Sequence, residues 1–480
     1  MSVGRPARGD ALFGALLFVV ALAPRLWVGL SWAGEPVWDG HYYDFGARRI
    51  AQGLGYSDDL TIDGQLVWHP WAHYPVGYSA FLAAFYRVFG ASHAVAAVAN
   101  AFVGAALAVV TWALARHALD ATRARIAGLI VAVHPGLILY AALLMSEPLA
   151  ALLTLAAFWL AVRDDNRRRG LIVGALMLGV AALVRPQALL CAPFLGLLNR
   201  KTGSREGKQV GTQTFPSSRL SVRFLLPVAA CAIALVPVLP WTARNCAVMD
   251  GCALVSTNAG WNLAIGAFPR ATGRFETLRS SDGCREVTGQ VQQDRCWLDY
   301  GMGQIRAHPG RWLALVPAKL GFTFDHESFA VEYLHEARPE AWPEDRRVRA
   351  RDATTLAHRL LLAAAALGCI AFPSARRPRG ALAQGALLVV AAGLVAVAFA
   401  VDVPTFWPVA VFVSIVPWLP FPGRPDVPPA MLLGVALLAT TLLTHAVFFG
   451  EDRYHMVVTP VLALLAAAAL RPRTGLAPAA

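Results

Sequence analysis

The chain has 480 residues, of which 57% are hydrophobic and only 15% charged, and its mean hydropathy is +0.51. That balance excludes a soluble multidomain protein and implies an all-α, polytopic membrane protein. The formal net charge of +12 does not indicate a nucleic-acid partner, because Lys and Arg lie between apolar runs rather than on one face and no nucleic-acid motif is present.

Apolar runs of spanning or near-spanning length occur at 11–32, 94–117, 126–144, 148–163, 170–184, 187–199, 224–241, 355–372, 381–401, 404–420, 429–449 and 455–470. At about 20 residues per crossing they predict about twelve transmembrane helices. The first run resembles a secretory signal, but it is too long, carries Arg25 and has no small-residue cleavage site, so it is read as a span. With both termini cytoplasmic, the basic clusters 116–125, 163–169, 200–223 and 376–379 and the tail with Arg471 and Arg473 all fall inside, as Lys and Arg retention during insertion requires. The polar stretch 201–222 is expected to be a flexible cytoplasmic loop, and the whole of 1–480 is read as one integral membrane domain.

Two long segments remain outside, 33–93 and 242–354, and any extracytoplasmic chemistry must reside there. In the first, Phe81, Leu82, Phe85 and Tyr86 recur at helical spacing and predict an interfacial helix. The second holds Cys246, Cys252, Cys284 and Cys296, an even number that predicts two disulfides with three pairings open. Cys191, Cys231 and Cys369 lie in apolar runs and read as buried free thiols.

The first outer segment opens with Trp38-Asp39-Gly40-His41-Tyr42-Tyr43-Asp44. A carboxylate wrapped in aromatic residues just beyond the first span reads as a reaction centre, with the cap of a short helix as the alternative role for Asp39. The run continues through Gly53-Leu54-Gly55-Tyr56-Ser57 and Tyr74-Pro75-Val76-Gly77-Tyr78, then Ser146-Glu147-Pro148, Leu183-Val184-Arg185-Pro186 and Pro240-Trp241-Thr242-Ala243-Arg244-Asn245. It ends with Ser256-Thr257-Asn258-Ala259-Gly260-Trp261-Asn262 and Arg453-Tyr454. In this order the motifs resemble the polyprenyl-phosphate-sugar-dependent glycosyltransferases, specifically the protein mannosyltransferase and aminoarabinose transferase group of the GT-C fold (glycosyltransferase family 39-like). Two departures stand out: family members commonly carry an acidic pair at Asp39-Gly40 and two prolines at Tyr74-Pro75-Val76.

The resemblance implies a GT-C-like bundle in a bacterial inner membrane with its active site on the outer face. It implies a polyprenyl-phosphate sugar as donor, and a lipid, glycan or protein acceptor whose hydroxyl or amine attacks the anomeric carbon with inversion. Asp39 is the expected base, its pKa raised by the aromatic surround, with Asp44 and Glu147 as further acids. Arg185, Arg244 and Arg453, all at outer ends of apolar runs, are expected to hold the lipid phosphate. Tyr43, His69, His73, Tyr74, Asn258, Asn262 and Tyr454 are expected at the sugar or acceptor. No cofactor is required by this reading. His69 and His73 with Asp39 are a weak divalent-metal candidate, because Pro70 breaks the helical spacing. The alternative function is a transporter or lipid flippase with Arg25, Arg185 and Asp402 along a pathway, which predicts an internal symmetry absent from the sequence. A non-catalytic scaffold would leave the order of acid and arginines unexplained.

Overall fold

The computed structural model describes residues 8–198, 218–370, 378–401, 405–420 and 426–470. They are predominantly helical, with a single two-stranded sheet among them. Most of the loop expected at 201–222, together with Asp402, Arg376, Arg471 and Arg473, lies outside the described residues, which resume with the helix Ser218–Leu235.

The helix Arg8–Trp32 is the first crossing and packs on His93–Ala115 and Ala121–Val133. Caps fix where the next two begin. The Ser92 hydroxyl accepts the Val95 amide, and the Asp120 carboxylate accepts the amides of Thr122 and Arg123. The helix Ala121–Val133 stops because Pro135 has no N–H to continue it, and the chain bends by 54° into Pro135–Ala142. Arg25 repairs that break. Its guanidinium, fully buried in the first span, donates to the carbonyls of Ala21 at 2.8 Å, Ala132 at 2.7 Å and Val131 at 2.8 Å. The Val131 carbonyl is the one a non-proline residue 135 would have satisfied.

Four of the described helices are long and apolar enough to cross a membrane, or six if each of two bent pairs is one span. The count of about twelve predicted from apolar runs is not reached on this measure, and the reason is local. The runs at 126–144 and 224–241 bend at breaks of 54° and 53°, those at 187–199, 404–420 and 455–470 fold as short helical pieces that change near Cys191, Pro417 and Pro460, and those at 148–163, 170–184 and 355–372 are single helices that are short or open on charged turns. The helix Thr459–Ala468 is apolar all round and buried along its length, inserted between Glu344–Gly368 and Ala121–Val133.

The segments 33–93 and 242–354 build much of the site. The helix Asp39–Ala51 lies on Val76–Phe89 through Tyr43 and Ala47 against Tyr78, Leu82 and Tyr86. Between them comes an antiparallel hairpin, Ser57–Ile62 with Gln65–Pro70, which the sequence reading did not anticipate. Its two-residue turn, Asp63-Gly64, takes positive φ at both positions, the geometry that matches strand twist. In the second outer segment the cysteines pair as Cys246–Cys252 and Cys284–Cys296. Cys284 packs with Ala264, Phe268, Trp297, Phe449 and Tyr454, so this segment shares a core with the turn that carries Arg453.

Candidate active site

Asp39 is the first residue of its helix rather than the cap. The capping position is Trp38, held at φ 50°, a conformation rare for a bulky side chain, and its ring packs on Phe329 and Tyr333. The Asp39 carboxylate accepts no backbone amide. Oδ1 takes the Tyr74 hydroxyl at 2.7 Å and Oδ2 takes Arg453 Nη1 at 2.5 Å. Beside it, a Cβ on Gly40 would collide with the Tyr333 hydroxyl and press on the Leu144 carbonyl. A second acid at position 40 therefore has no room here, because the Tyr333 hydroxyl occupies that space.

Arg453 sits on the short helix Asp452–Val457. Its neighbour Asp452 accepts the amides of Ser328 and Phe329 and so clamps this turn to the start of the helix Phe329–Ala337. The guanidinium faces two acids, Asp39 and Glu451, the latter with Oε2 at 2.6 Å from Nε. It also lies over the rings of Phe329 and Tyr454, each centroid 5.0 Å away. A second ion pair stands nearby. Arg185 ends the helix Arg167–Val184 and donates to Glu147 Oε1 at 2.5 Å and Ser146 Oγ at 3.3 Å, with its Cζ 5.2 Å from the Tyr454 ring. Glu147 is fully buried and its Oε2 has no partner. The Tyr454 ring is thus flanked by two guanidiniums and stacked on His445 at 4.0 Å.

Asp39, Tyr74, Arg185, Arg453, Tyr454 and His445 line one cavity of about 400 Å³, while Glu147 and Glu451 stand behind its wall as partners of the two arginines. Its polar end carries Asp39, Tyr43, His73, Tyr74, Arg185 and Arg453, with Asn258, Asn262 and Tyr454 on the adjoining wall. Leu190, Leu254, Phe275 and Phe448 form an apolar remainder. His73 is tucked edge-on between Tyr74 and Trp261, and burial lowers its pKa, which favours the neutral imidazole.

The electrostatics correct one expectation. Burial alone would raise the Asp39 carboxyl, but the Arg453 charge, the hydrogen bonds from Tyr74 and Arg453, and the more distant Arg185 together hold it below the usual carboxylate range. The group pushed upward is Glu451, which burial raises to about 7 against the attraction of Arg453. Glu451 was missed in the sequence because nothing marks it except its place two residues before Arg453. His445, which lies inside the apolar run 429–449, also lines the cavity.

Other predicted residues lie elsewhere. Arg244 does not line the cavity; its guanidinium lies over Trp241 and donates to the carbonyls of Tyr56 and Trp71, tying the hairpin loop to the helix Leu239–Val248. Asp44 points away from Asp39, paired with Arg48 at 2.6 Å and Tyr86 at 2.5 Å. His69 is on the hairpin, bonded to Asp58 at 2.7 Å, and does not meet His73 at a common centre.

The profile of the family described as dolichyl-phosphate-mannose-protein mannosyltransferase matches residues 73–242, about a third of the chain. That stretch includes His73, Tyr74, Glu147 and Arg185, while Asp39 and Arg453 lie outside it. No match is found among curated proteins. Among solved structures, an Archaeoglobus fulgidus oligosaccharyltransferase tethered with an acceptor peptide is similar over 97% of this chain and 49% of that one, at 13% identity and a TM-score of 0.45. ArnT from Cupriavidus metallidurans bound to undecaprenyl phosphate is similar over 96% of this chain and 77% of that one, at 17% identity and a TM-score of 0.34. The chain thus spans about half the length of the archaeal proteins it matches, and likeness at these scores carries no argument about activity.

Proposed function

We propose that the protein is an integral membrane glycosyltransferase that moves a sugar from a polyprenyl-phosphate donor to an acceptor at the extracytoplasmic face. The observation that carries this reading is the contact between Asp39 and Arg453, 414 residues apart in sequence and 2.5 Å apart in the wall of a mainly apolar cavity. An acid and a cation held together among apolar side chains suit a donor with a phosphate head and an isoprenoid tail. The match to a family of lipid-phosphate-sugar enzymes over residues 73–242 supports the same class.

In this reading the reaction is an inverting displacement. The acceptor hydroxyl or amine attacks the anomeric carbon, the bond from that carbon to the phosphate oxygen breaks, and the lipid phosphate leaves with the electron pair. The acceptor proton passes to Asp39. A carboxylate pinned by Arg453 and Tyr74 is a poor base, so the two roles must be linked. The donor phosphate is the natural partner for the Arg453 guanidinium. When it takes Arg453, Asp39 loses the charge that depresses its pKa and becomes the more basic for it, so that the base is released only when the donor is seated. Arg185, balanced by Glu147, supplies the second positive charge near the departing phosphate. The aromatic and amide walls at His73, Tyr74, Asn258 and Asn262 hold the sugar, and no step needs a cofactor.

The test is transfer in proteoliposomes with a panel of polyprenyl-phosphate sugars, comparing wild type with Asp39→Asn. Transfer by wild type and its loss in the variant support the reading. Equal transfer by both removes Asp39 from the chemistry, and movement of labelled lipid across the bilayer without transfer makes the protein a flippase.

A further inference from the structure

A second constellation of chemically capable groups lies behind the cavity wall, on the far side of the turn that carries Arg453. Glu327 sits between the helices Val316–Phe324 and Phe329–Ala337, His358 lies in Glu344–Gly368, and His455 lies in Asp452–Val457. All three are buried, His358 and His455 completely, and one donor atom from each falls within 4.8 Å of the others. None lines the cavity.

The hydrogen bonds fix one nitrogen of each ring. His455 Nδ1 lies 2.7 Å from the Thr323 carbonyl, which can only accept, so Nδ1 bears a hydrogen. Its Nε2 lies 3.0 Å from Glu327 Oε2, a contact that a proton or a bound cation can bridge. His358 repeats the arrangement: Nε2 donates to the Phe324 carbonyl at 2.9 Å, and Nδ1 is buried with no partner. Glu327 Oε1 is buried without a partner as well, against Gly136, where any Cβ would strike it. Two imidazoles and a carboxylate gathered in this way, with one N–H of each imidazole anchored on a backbone carbonyl, share the outer support that holds metal-ligating histidines.

The frame is built in advance. Thr355 Oγ1 accepts the Glu327 amide at 3.2 Å, and the Thr354 hydroxyl donates to its carbonyl at 2.5 Å, fixing Glu327 to the helix of His358. The two imidazole rings stand face to face with centroids 3.9 Å apart. His134 Nδ1 accepts the Leu137 amide, which leaves Nε2–H toward Glu327 Oε2 at 3.9 Å as an outer supporting contact.

We propose that Glu327, His358 and His455 form a binding site for a divalent cation of the zinc class. Two imidazoles and one carboxylate suit zinc or cobalt better than magnesium or calcium, which prefer all-oxygen shells. Ligand bonds of about 2.0–2.2 Å set tetrahedral donors about 3.4 Å apart, so the three groups, within 4.8 Å of one another, draw in around the ion and the stacked imidazoles turn toward it. The cation would be enclosed during folding, and it would pin the turn Asp452–Val457 to two other helices, stiffening the base on which Arg453 stands. The proposal does not depend on the transfer reaction.

The test is metal analysis of the full-length chain purified in detergent through a tag that lacks histidine, from cells grown with zinc and, separately, with cobalt. The expected result is about one zinc per chain surviving dialysis against a chelator, and visible cobalt bands of a low-coordinate site in the cobalt preparation. Glu327→Gln and His358→Asn should each reduce retained metal at least about tenfold. A folded, monodisperse wild type holding no stoichiometric metal and showing no cobalt bands would overturn the site, leaving a proton shared between Glu327 and His455 in its place. Full retention of metal by both variants would overturn it equally, because the ion would then be bound elsewhere. If a variant does not fold, the wild-type zinc content and cobalt spectrum decide the matter alone.

Discussion

Two sets of arginines divide the molecule. Arg25 and Arg244 direct their guanidiniums at backbone carbonyls, the first at a proline break within the membrane-spanning bundle, the second at the loop before His73. Arg185 and Arg453 face carboxylates and an aromatic ring in the cavity wall. The chemistry of the partner distinguishes their roles. A guanidinium on carbonyls completes the backbone and cannot leave without orphaning buried acceptors. A guanidinium on a carboxylate can exchange one anion for another, and a phosphate is such an anion. On the proposed function, the first set serves folding and the second meets the donor.

The largest effect should come from the acid that the second set holds. Asp39→Asn should lower turnover about 10²- to 10⁴-fold with an unchanged unfolding midpoint, measured by donor consumption and by thermal melts in detergent. A similar activity in both proteins would remove the distinction between the two sets. Arg25→Met should do the reverse: about 2–4 kcal/mol of stability lost, because the Val131 and Ala132 carbonyls keep no donor, with donor KM and turnover per folded molecule unchanged. If this variant melts like wild type, carbonyl partnership is not what makes Arg25 structural.

Arg453→Lys sharpens the comparison further. A lysine retains the charge but cannot serve Asp39, Glu451 and a phosphate at once, so kcat/KM should fall about 10- to 100-fold with little change in melting. Glu451 gives a smaller effect with a definite sign. Its carboxyl is raised from an ordinary 4.5 to about 7. Below about pH 7 it holds its proton and Arg453 has one competing anion fewer; as pH rises through 7 that anion appears. Donor KM should therefore rise about tenfold at most between pH 6 and pH 8, and Glu451→Gln should flatten the profile. The same raised pKa favours the folded state below about pH 4.5, an advantage lost as pH rises to about 7. Arg244→Lys should show the least, about 1 kcal/mol of stability with donor KM within about twofold, measured in the same assays.

Much of this site was readable from the chain. Arg185, Arg453 and Tyr454 sit in motifs at the ends of apolar runs, Asp39 and Tyr74 in motifs of the segment 33–93, and folding brings all five to one cavity. What could not be read was the state of the acid. Aromatic neighbours adjacent in sequence suggested a raised pKa, whereas the deciding charge arrives from 414 residues away. Arg244 misled for a related reason: a position at a helix end does not say whether carbonyls or a cavity await the side chain. The hairpin at 57–70 was hidden by its mixed polarity, and hydrophobic length alone could not show that prolines such as Pro135 and Pro417 break apolar runs into shorter pieces. Gly40 stood out as a departure from an acidic pair, but only the position of Tyr333 explains it.

The central claim is that one guanidinium is shared between the acid and the donor's phosphate, so that seating the donor frees the base. Donor affinity of Asp39→Asn, measured by equilibrium binding of a polyprenyl-phosphate to the purified protein in nanodiscs, tests it most directly. Removing the carboxylate's charge should tighten binding, by about tenfold, even as transfer is lost. Binding that is unchanged or weaker in Asp39→Asn would contradict the exchange and leave the Asp39–Arg453 pair a structural contact.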